Sequence, residues 1–383
     1  MAISTFTRFL SCGLKLGCTR YACILAAAMV FMLSQANFVQ AQYRIPYYPI
    51  NFTDFQPLDY FDADNQGDFE GDNGNASINA YLCAYLSDRI YAADIGISEA
   101  WEEAFELEML AFGATYADFY NSTQTGAEVG VVETSDAMII VHRGSSMAGT
   151  PLILAGADWA HDLNAEPSAA NIGGVNMHLH EGFRMSQDSV HWWVRQQAMR
   201  GTLQGKKIWV TGHSLGGASA TLTAARLHYD AGIEIQGVLT FGSPKVGDKE
   251  LQKLFTMEGA GGVALEDRSH RFAVEGDFAT TLFHHGYITK KIYNGIYYYN
   301  KTYKIYYRHV GQTNHIYQTP TGIGYSYDVD YDTADRSNLM YAPIWSLGPG
   351  GAHGMYAPAM EAEMIRILLL RNRGNDLIDI QDG

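Results

Sequence analysis

The chain of 383 residues has four cysteines, and three of them (Cys12, Cys18, Cys23) fall within its first forty residues. Only Cys83 lies beyond, in NAYLCAYL. A mature chain trimmed of the leading stretch can therefore form no intramolecular disulfide, and its own core must hold it together. A lone cysteine in that apolar setting reads as a small buried hydrophobe, not a nucleophile. Basic charge is scarce as well: 26 Lys and Arg stand against 41 Asp and Glu, a formal net charge of −15. That balance argues against nucleic acid, or an anionic membrane surface, as a partner, because both want a basic face. No internal repeat and no low-complexity linker divides the chain. The apolar run near its start, Tyr21–Leu33, is too short for a comfortable membrane span. A complete calcium loop is missing too. DADNQGDFEGDN (Asp62–Asn73) has Asp62, Asp64 and Gly67 in place, but Asn73 stands where a bidentate Glu belongs. DVDYDTAD (Asp328–Asp335) lacks the turn glycine altogether. Beyond that partial Ca2+ pattern at Asp62–Asn73, no cofactor and no metal is expected.

The composition that remains is globular, with 47% apolar and 13% aromatic residues. Arg8, Lys15 and Arg20 precede the Tyr21–Leu33 run, and Val39-Gln40-Ala41 offers small residues at a cleavage site. Residues 1–41 thus read as a signal peptide cleaved near Ala41, and the expected location is secreted or periplasmic; an uncleaved anchor is the rival. Its removal takes three basic residues and no acid, which moves the net charge from −15 to −18. Residues 42–77 read as an N-terminal extension with a loop rich in Asp, Asn and Gly, and residues 78–383 as one domain.

Helical periodicity runs over about Ile78–Ala93 and Ser98–Tyr120. Short β-branched or aromatic runs then recur: AMIIVH (Ala137–His142), KIWVT (Lys207–Thr211), GVLTFG (Gly237–Gly242) and HRFAVEG (His270–Gly276). Helical stretches at Gly182–Met199, Gly216–Tyr229 and Asp248–Met257 separate them, with a last helix over Tyr356–Arg371. This alternation predicts an α/β fold with a mostly parallel central sheet. Of the adjacent Trp192 and Trp193, at least one should be core, since neighbours on a helix face different ways. Residues 287–308 are crowded with Tyr and Lys, and Asn294-Gly295 could turn a hairpin there. An amphipathic β-ribbon is the plain expectation, and an aromatic ledge beside a substrate cleft the sharper one.

The stretch VTGHSLGGASA (Val210–Ala220) carries chemistry. Gly212-His213-Ser214-Leu215-Gly216 is G-x-S-x-G, placed between the KIWV strand and a helix. A sharp strand-to-helix turn brings backbone segments so close that a Cβ at either glycine would clash. It lifts Ser214 above the sheet edge, and the Leu215 amide points where an oxyanion would form. A serine hydroxyl needs a base, and that base needs an orienting group. In this fold they follow in the order Ser, acid, His. Asp277, ending the RFAVEGD run, is the preferred acid over Asp248, which reads as a helix cap, and Asp267. Five histidines follow: His284, His285, His309, His315 and His353. Order and context favour His353, in a glycine-rich loop before a helix, over His309, which lies in an apparent strand.

The blocks MIIVHRGSS, ADWAHDL, HEGF, VTGHSLGGASATLTA, LTFGSPKVGD, VEGD and HGMY occur in the order found in class 3 (fungal-type) lipases, which the chain resembles from roughly Ile78 to Leu370. The resemblance implies an α/β-hydrolase fold with a lid and hydrolysis of lipid carboxylic esters, triacylglycerols first. It implies Ser214 as nucleophile, Asp277 as acid, His353 as base, and Ser145 with Leu215 as the oxyanion hole. The implied partner is a lipid ester at an oil–water interface, with no nucleic acid and no obligate protein partner. The lid is expected between Ser146 and Asp162, with the apolar run Pro151–Ala155 over an acyl groove or, alternatively, forming a buried strand. Asp158, Trp159 and Asp162 would fix its base. Phospholipase, galactolipase and feruloyl-type esterase activities are the rivals on the same scaffold, and a non-catalytic lipid-binding relative is the remote one.

Overall fold

A computed structural model describes residues 50–56, 75–91, 100–144, 166–274, 277, 279–281, 285–293, 295, 298–321, 324–330 and 356–360. Two helices come first, α1 (Asn75–Arg89) and α2 (Ala100–Ala111). Three strands follow, β1 (Tyr116–Asn121), β2 (Glu128–Glu133) and β3 (Ala137–His142). Next are a small two-stranded sheet, β4 (Pro167–Ile172) with β5 (Val175–His180), and the long helix α3 (Glu181–Leu203). Then come β6 (Lys207–His213), α4 (Leu215–Ala225), β7 (Ile235–Phe241), α5 (Lys249–Phe255) and β8 (Ser269–Val274). The chain goes on through β9 (His285–Tyr293), β10 (Tyr298–Tyr306), β11 (Gln312–Thr321) and β12 (Gly324–Asp330).

Eight strands form one sheet in the order β1-β2-β3-β6-β7-β8-β11-β12. The junctions from β3 to β11 are parallel, and the outer junctions at each edge are antiparallel. β3, β7 and β8 are buried along their whole length, as strands covered on both faces are, although β8 buries Ser269, His270 and Arg271 with its apolar residues. Alternate side chains of β3 feed two cores. Ala137, Ile139 and Val141 join α1, α2 and the helical turn at 356–360. Met138 and Ile140 join α3 and α4. This is the α/β architecture the alternation predicts, with helices on both sides of the sheet.

Several expectations shift at their ends. The helical period read through Tyr120 stops at Ala111. Gly113 turns the chain at φ 93°, and Tyr116–Asn121 pairs with β2 instead. The helix after Gly216 begins at Leu215 and becomes a π-turn over Arg226–Asp230. The Tyr- and Lys-rich stretch is the expected hairpin, β9 against β10. His309 lies just past it, outside any strand, buried, with Nε2 2.9 Å from the Thr280 carbonyl oxygen. Trp193 is buried while Trp192 is exposed, and Cys83 is buried with its thiol pushed upward by desolvation. Among the described helices none is long and apolar enough to cross a membrane.

Candidate active site

β6 ends at His213, and α4 starts two residues later, so the whole turn between strand and helix is Ser214. Ser214 stands at φ 59°, ψ −128°, and is the one non-glycine residue at positive φ among the described residues. Backbone of that kind costs on the order of 1–3 kcal/mol and persists only where the surroundings hold it. The surroundings here are close-packed backbone. A Cβ on Gly212 would run into the Gly216 carbonyl, and a Cβ on Gly216 would run into the carbonyl oxygen of His142. The Ser214 amide donates to the Phe241 carbonyl at 2.9 Å, which ties the turn to the end of β7. The turn leaves Ser214 and Leu215 half-buried, with the Leu215 N–H at the start of α4, where helix amides have no partner of their own.

The end of β3 closes over the same turn. A Cβ on Gly144 would lie 2.6 Å from the His213 carbonyl oxygen and 3.1 Å from Ser214 Cβ. Arg143 anchors this segment through an ion pair with Glu128 at 2.5 Å, and its guanidinium lies 5.9 Å from the ring centre of Tyr91. The Tyr91 hydroxyl lies 3.0 Å from Nδ1 of His213 and 3.2 Å from its carbonyl oxygen. Just before Arg143, burial pushes the His142 imidazole down to about 3, so it stays neutral, with Nε2 2.9 Å from the Thr223 hydroxyl. Ser145 itself, the expected second oxyanion donor, lies outside the described residues, as do the expected lid at 146–162 and its Asp158, Trp159 and Asp162.

Asp277 sits three residues past β8, at the same end of the parallel sheet as Ser214. It is buried, and its own amide donates to the Val274 carbonyl at 3.0 Å. One carboxylate oxygen accepts the Ala279 N–H at 2.8 Å, and the other accepts the Tyr356 hydroxyl at 2.5 Å. Burial and the neighbouring Asp277 charge raise the Tyr356 hydroxyl well above its ordinary value, which keeps it a donor. The rival acids fall elsewhere. Asp267 precedes β8, at the opposite end of the strand from Asp277. Asp248 caps α5, accepting the Glu250 N–H at 3.0 Å. His353 lies outside the described residues, as do the expected signal peptide 1–41 and the partial calcium pattern Asp62–Asn73. Among the described residues no group of three or more His, Cys, Asp or Glu could hold a metal ion.

Two residues given no role from the sequence alone hold this arrangement. Tyr91 packs against His213, with ring centres 5.6 Å apart. Tyr356 packs 5.5 Å from the same ring while it bonds Asp277 and accepts the Val274 N–H at 3.1 Å. HGMY ends in Tyr356, three residues after His353, but nothing in the pattern shows that its hydroxyl reaches Asp277.

Residues 139–286 match the family model described as Lipase (class 3). The resemblance carried by the motifs is thus matched by a family model over this segment, which is less than half of the chain. It contains Ser145, Ser214, Leu215 and Asp277, whereas His353 lies beyond it. The chain is 28% identical over 180 residues to Lipase ZK262.3 of Caenorhabditis elegans, a match covering 46% of this chain and 48% of that protein. It thus spans about half the length of that relative. Solved structures with similarity include a fungal lipase–inhibitor complex, at TM-score 0.44 and 19% identity, covering 73% of this chain and 94% of that one. A Rhizomucor miehei lipase propeptide complex follows, at TM-score 0.44 and 18% identity, covering 71% and 77%.

Proposed function

We propose that the chain is a secreted serine hydrolase that cleaves carboxylic esters of lipids, triacylglycerols first, through Ser214, His353 and Asp277. The observation that carries this reading is Ser214 itself, the one non-glycine at positive φ among the described residues, on a strand-to-helix turn packed closely against backbone. Ser214 Oγ attacks the ester carbonyl while His353 takes its proton and passes it to the leaving alcohol. Asp277, its carboxylate held by the Ala279 amide and the Tyr356 hydroxyl, orients the imidazole. The amides of Leu215 and Ser145, with the Ser145 hydroxyl, hold the oxyanion, and water then releases the acid from Ser214. Removing one such donor costs roughly 10²–10³ in rate. Residues 1–41 act as the export signal in this reading, and the chemistry needs no cofactor.

The test is fatty-acid release by the protein lacking residues 1–41, from emulsified long-chain triacylglycerol and from a dissolved short-chain ester. Activity on the emulsion that falls by roughly 10⁴-fold or more in Ser214→Ala is the expected result. Activity confined to the dissolved ester would replace the lipase reading with an esterase. Inactivity on both would overturn the triacylglycerol assignment and turn attention to polar-lipid or aromatic esters.

A further inference from the structure

The β9–β10 ribbon stands apart from the rest of this acidic protein. Residues 285–306 contain Lys290, Lys291, Lys301 and Lys304 and no Asp or Glu, in a chain whose net charge is −15. The ribbon is a separate two-stranded sheet, hydrogen-bonded to neither of the others. Its register sorts the side chains. Tyr298 pairs with Tyr293, Asn300 with Lys291, Thr302 with Thr289 and Lys304 with Tyr287. Directly paired residues share a face in an antiparallel ladder, so these eight, with Tyr306, lie on one side. Every one of them is exposed. Tyr287, Tyr293, Tyr298 and Tyr306 are 57%, 55%, 62% and 48% exposed, a row of aromatic rings that the fold leaves uncovered. The opposite face is mixed: Ile288, Ile292, Tyr303 and Ile305 are half-buried there and Gly286 is buried, while Lys290, Tyr299 and Lys301 are exposed.

Lysines and tyrosines on the ribbon work as pairs. Lys291 Nζ lies 5.0 Å from the Tyr298 ring centre, and Lys304 Nζ 4.8 Å from that of Tyr306. Rings that are apolar in body and polar at the tip suit the boundary between water and lipid. Lysines beside them keep the ammonium at the charged headgroups while the stem lies along the rings. Each lysine held near an anionic lipid surface strengthens binding about fivefold, and the effect fades within a Debye length. The ribbon follows Asp277 in the chain, after the end of β8.

We propose that the exposed face of this ribbon docks the protein on an anionic lipid surface, with Tyr287, Tyr293, Tyr298 and Tyr306 at the headgroup boundary and Lys291 and Lys304 on the anionic groups. The local segregation of charge reverses what the net charge of the whole chain implies. The inference adds a surface to the lipid-ester reading but is tested separately from turnover.

The test uses the chain lacking residues 1–41 in the Ser214→Ala background, so that binding is measured without hydrolysis. Co-sedimentation is followed with phosphatidylcholine vesicles containing 30% phosphatidylglycerol and with pure phosphatidylcholine vesicles. Binding to the anionic vesicles should weaken as salt rises. It should fall at least ~25-fold in Lys291→Glu/Lys304→Glu, at about fivefold for each lysine lost. A second variant, Tyr287→Ser/Tyr298→Ser, should weaken binding at constant charge, and Arg195→Glu on α3 should leave it unchanged. Thermal unfolding checks that each variant is folded. Equal binding to the two vesicle types, or full retention in the lysine double variant, would overturn the proposal. So would tight binding to heparin with the vesicles left unbound, which would assign the face to a polyanion. Vesicle binding by a protein that hydrolyses no emulsion would keep this inference and sink the lipase reading alone.

Discussion

The turn at Ser214 and the β9–β10 ribbon are built on opposite terms. Around Ser214 the backbone is so crowded that no Cβ fits at Gly212 or Gly216, and strain at one serine is held by everything that touches it. In the ribbon the tyrosine face is exposed, and its residues are mostly aromatic, polar or charged. The first region is specified by the protein's own packing. The second adds little to the core, since its four tyrosines are about half exposed or more, and under the docking proposal it is specified by what it meets outside the protein. A site that performs chemistry needs fixed geometry, whereas a surface that meets a fluid phase needs chemical character and little shape.

That contrast is broken most directly by changing one side chain in each region. Gly216→Ala would push a Cβ into the His142 carbonyl, backbone against backbone, and neither can yield cheaply. The expected loss is at least ~3 kcal/mol of stability, with activity abolished in whatever still folds. Truncating Thr302 to alanine on the exposed ribbon face should change stability by less than ~0.5 kcal/mol. Urea unfolding of both variants decides the matter. Similar costs at the two places would mean that the turn is no tighter than the ribbon.

The same contrast explains what was legible in the sequence. AMIIVH, KIWVT, GVLTFG and HRFAVEG could be read as strands because buried parallel strands are continuous apolar runs, and all four lie in the central sheet. G-x-S-x-G could be placed because two glycines around a serine report the crowding directly. The edge strands escaped. Tyr116–Asn121 alternates buried and exposed residues and continues a helical period until Gly113 interrupts it. Pro167–Ile172 is too polar to look like a strand, and pairs only with β5. Tyr356 escaped for another reason: its bond to Asp277 joins residues 79 positions apart, which no local pattern records. The ribbon could be read as a hairpin from Asn294-Gly295, but its basic character was averaged away in the net charge of −15.

Removing the Tyr356 hydroxyl sharpens the comparison at the level of a single bond. Tyr356→Phe keeps the ring against His213 and Phe241 but leaves the Asp277 carboxylate and the Val274 amide without that partner in a buried place. Hydrogen bonds to charged groups contribute about 1.5–3 kcal/mol. If Tyr356 positions Asp277, kcat on a dissolved ester should drop ~10–100-fold with KM unchanged. A purely structural role would lower the unfolding midpoint and leave kcat per folded molecule intact. Tyr303→Phe on the ribbon, where the ring sits over Lys290 and Lys301, should do neither.

The smallest effect tests the strain itself. At φ 59° glycine is at ease and serine is not, so Ser214→Gly should stabilise the fold by about 1 kcal/mol while abolishing hydrolysis. Ser214→Ala removes the hydroxyl but keeps the Cβ, and should gain nothing in stability. Glycine also frees the unfolded chain, which offsets part of the relief, so the informative quantity is the difference between the two variants. Chemical unfolding at fixed pH measures it. A glycine variant more stable than the alanine one, with both inactive, would show that the turn holds its serine in place at the expense of stability. Equal midpoints would mean that the surrounding backbone sets this conformation without strain, and that the two regions differ only in crowding.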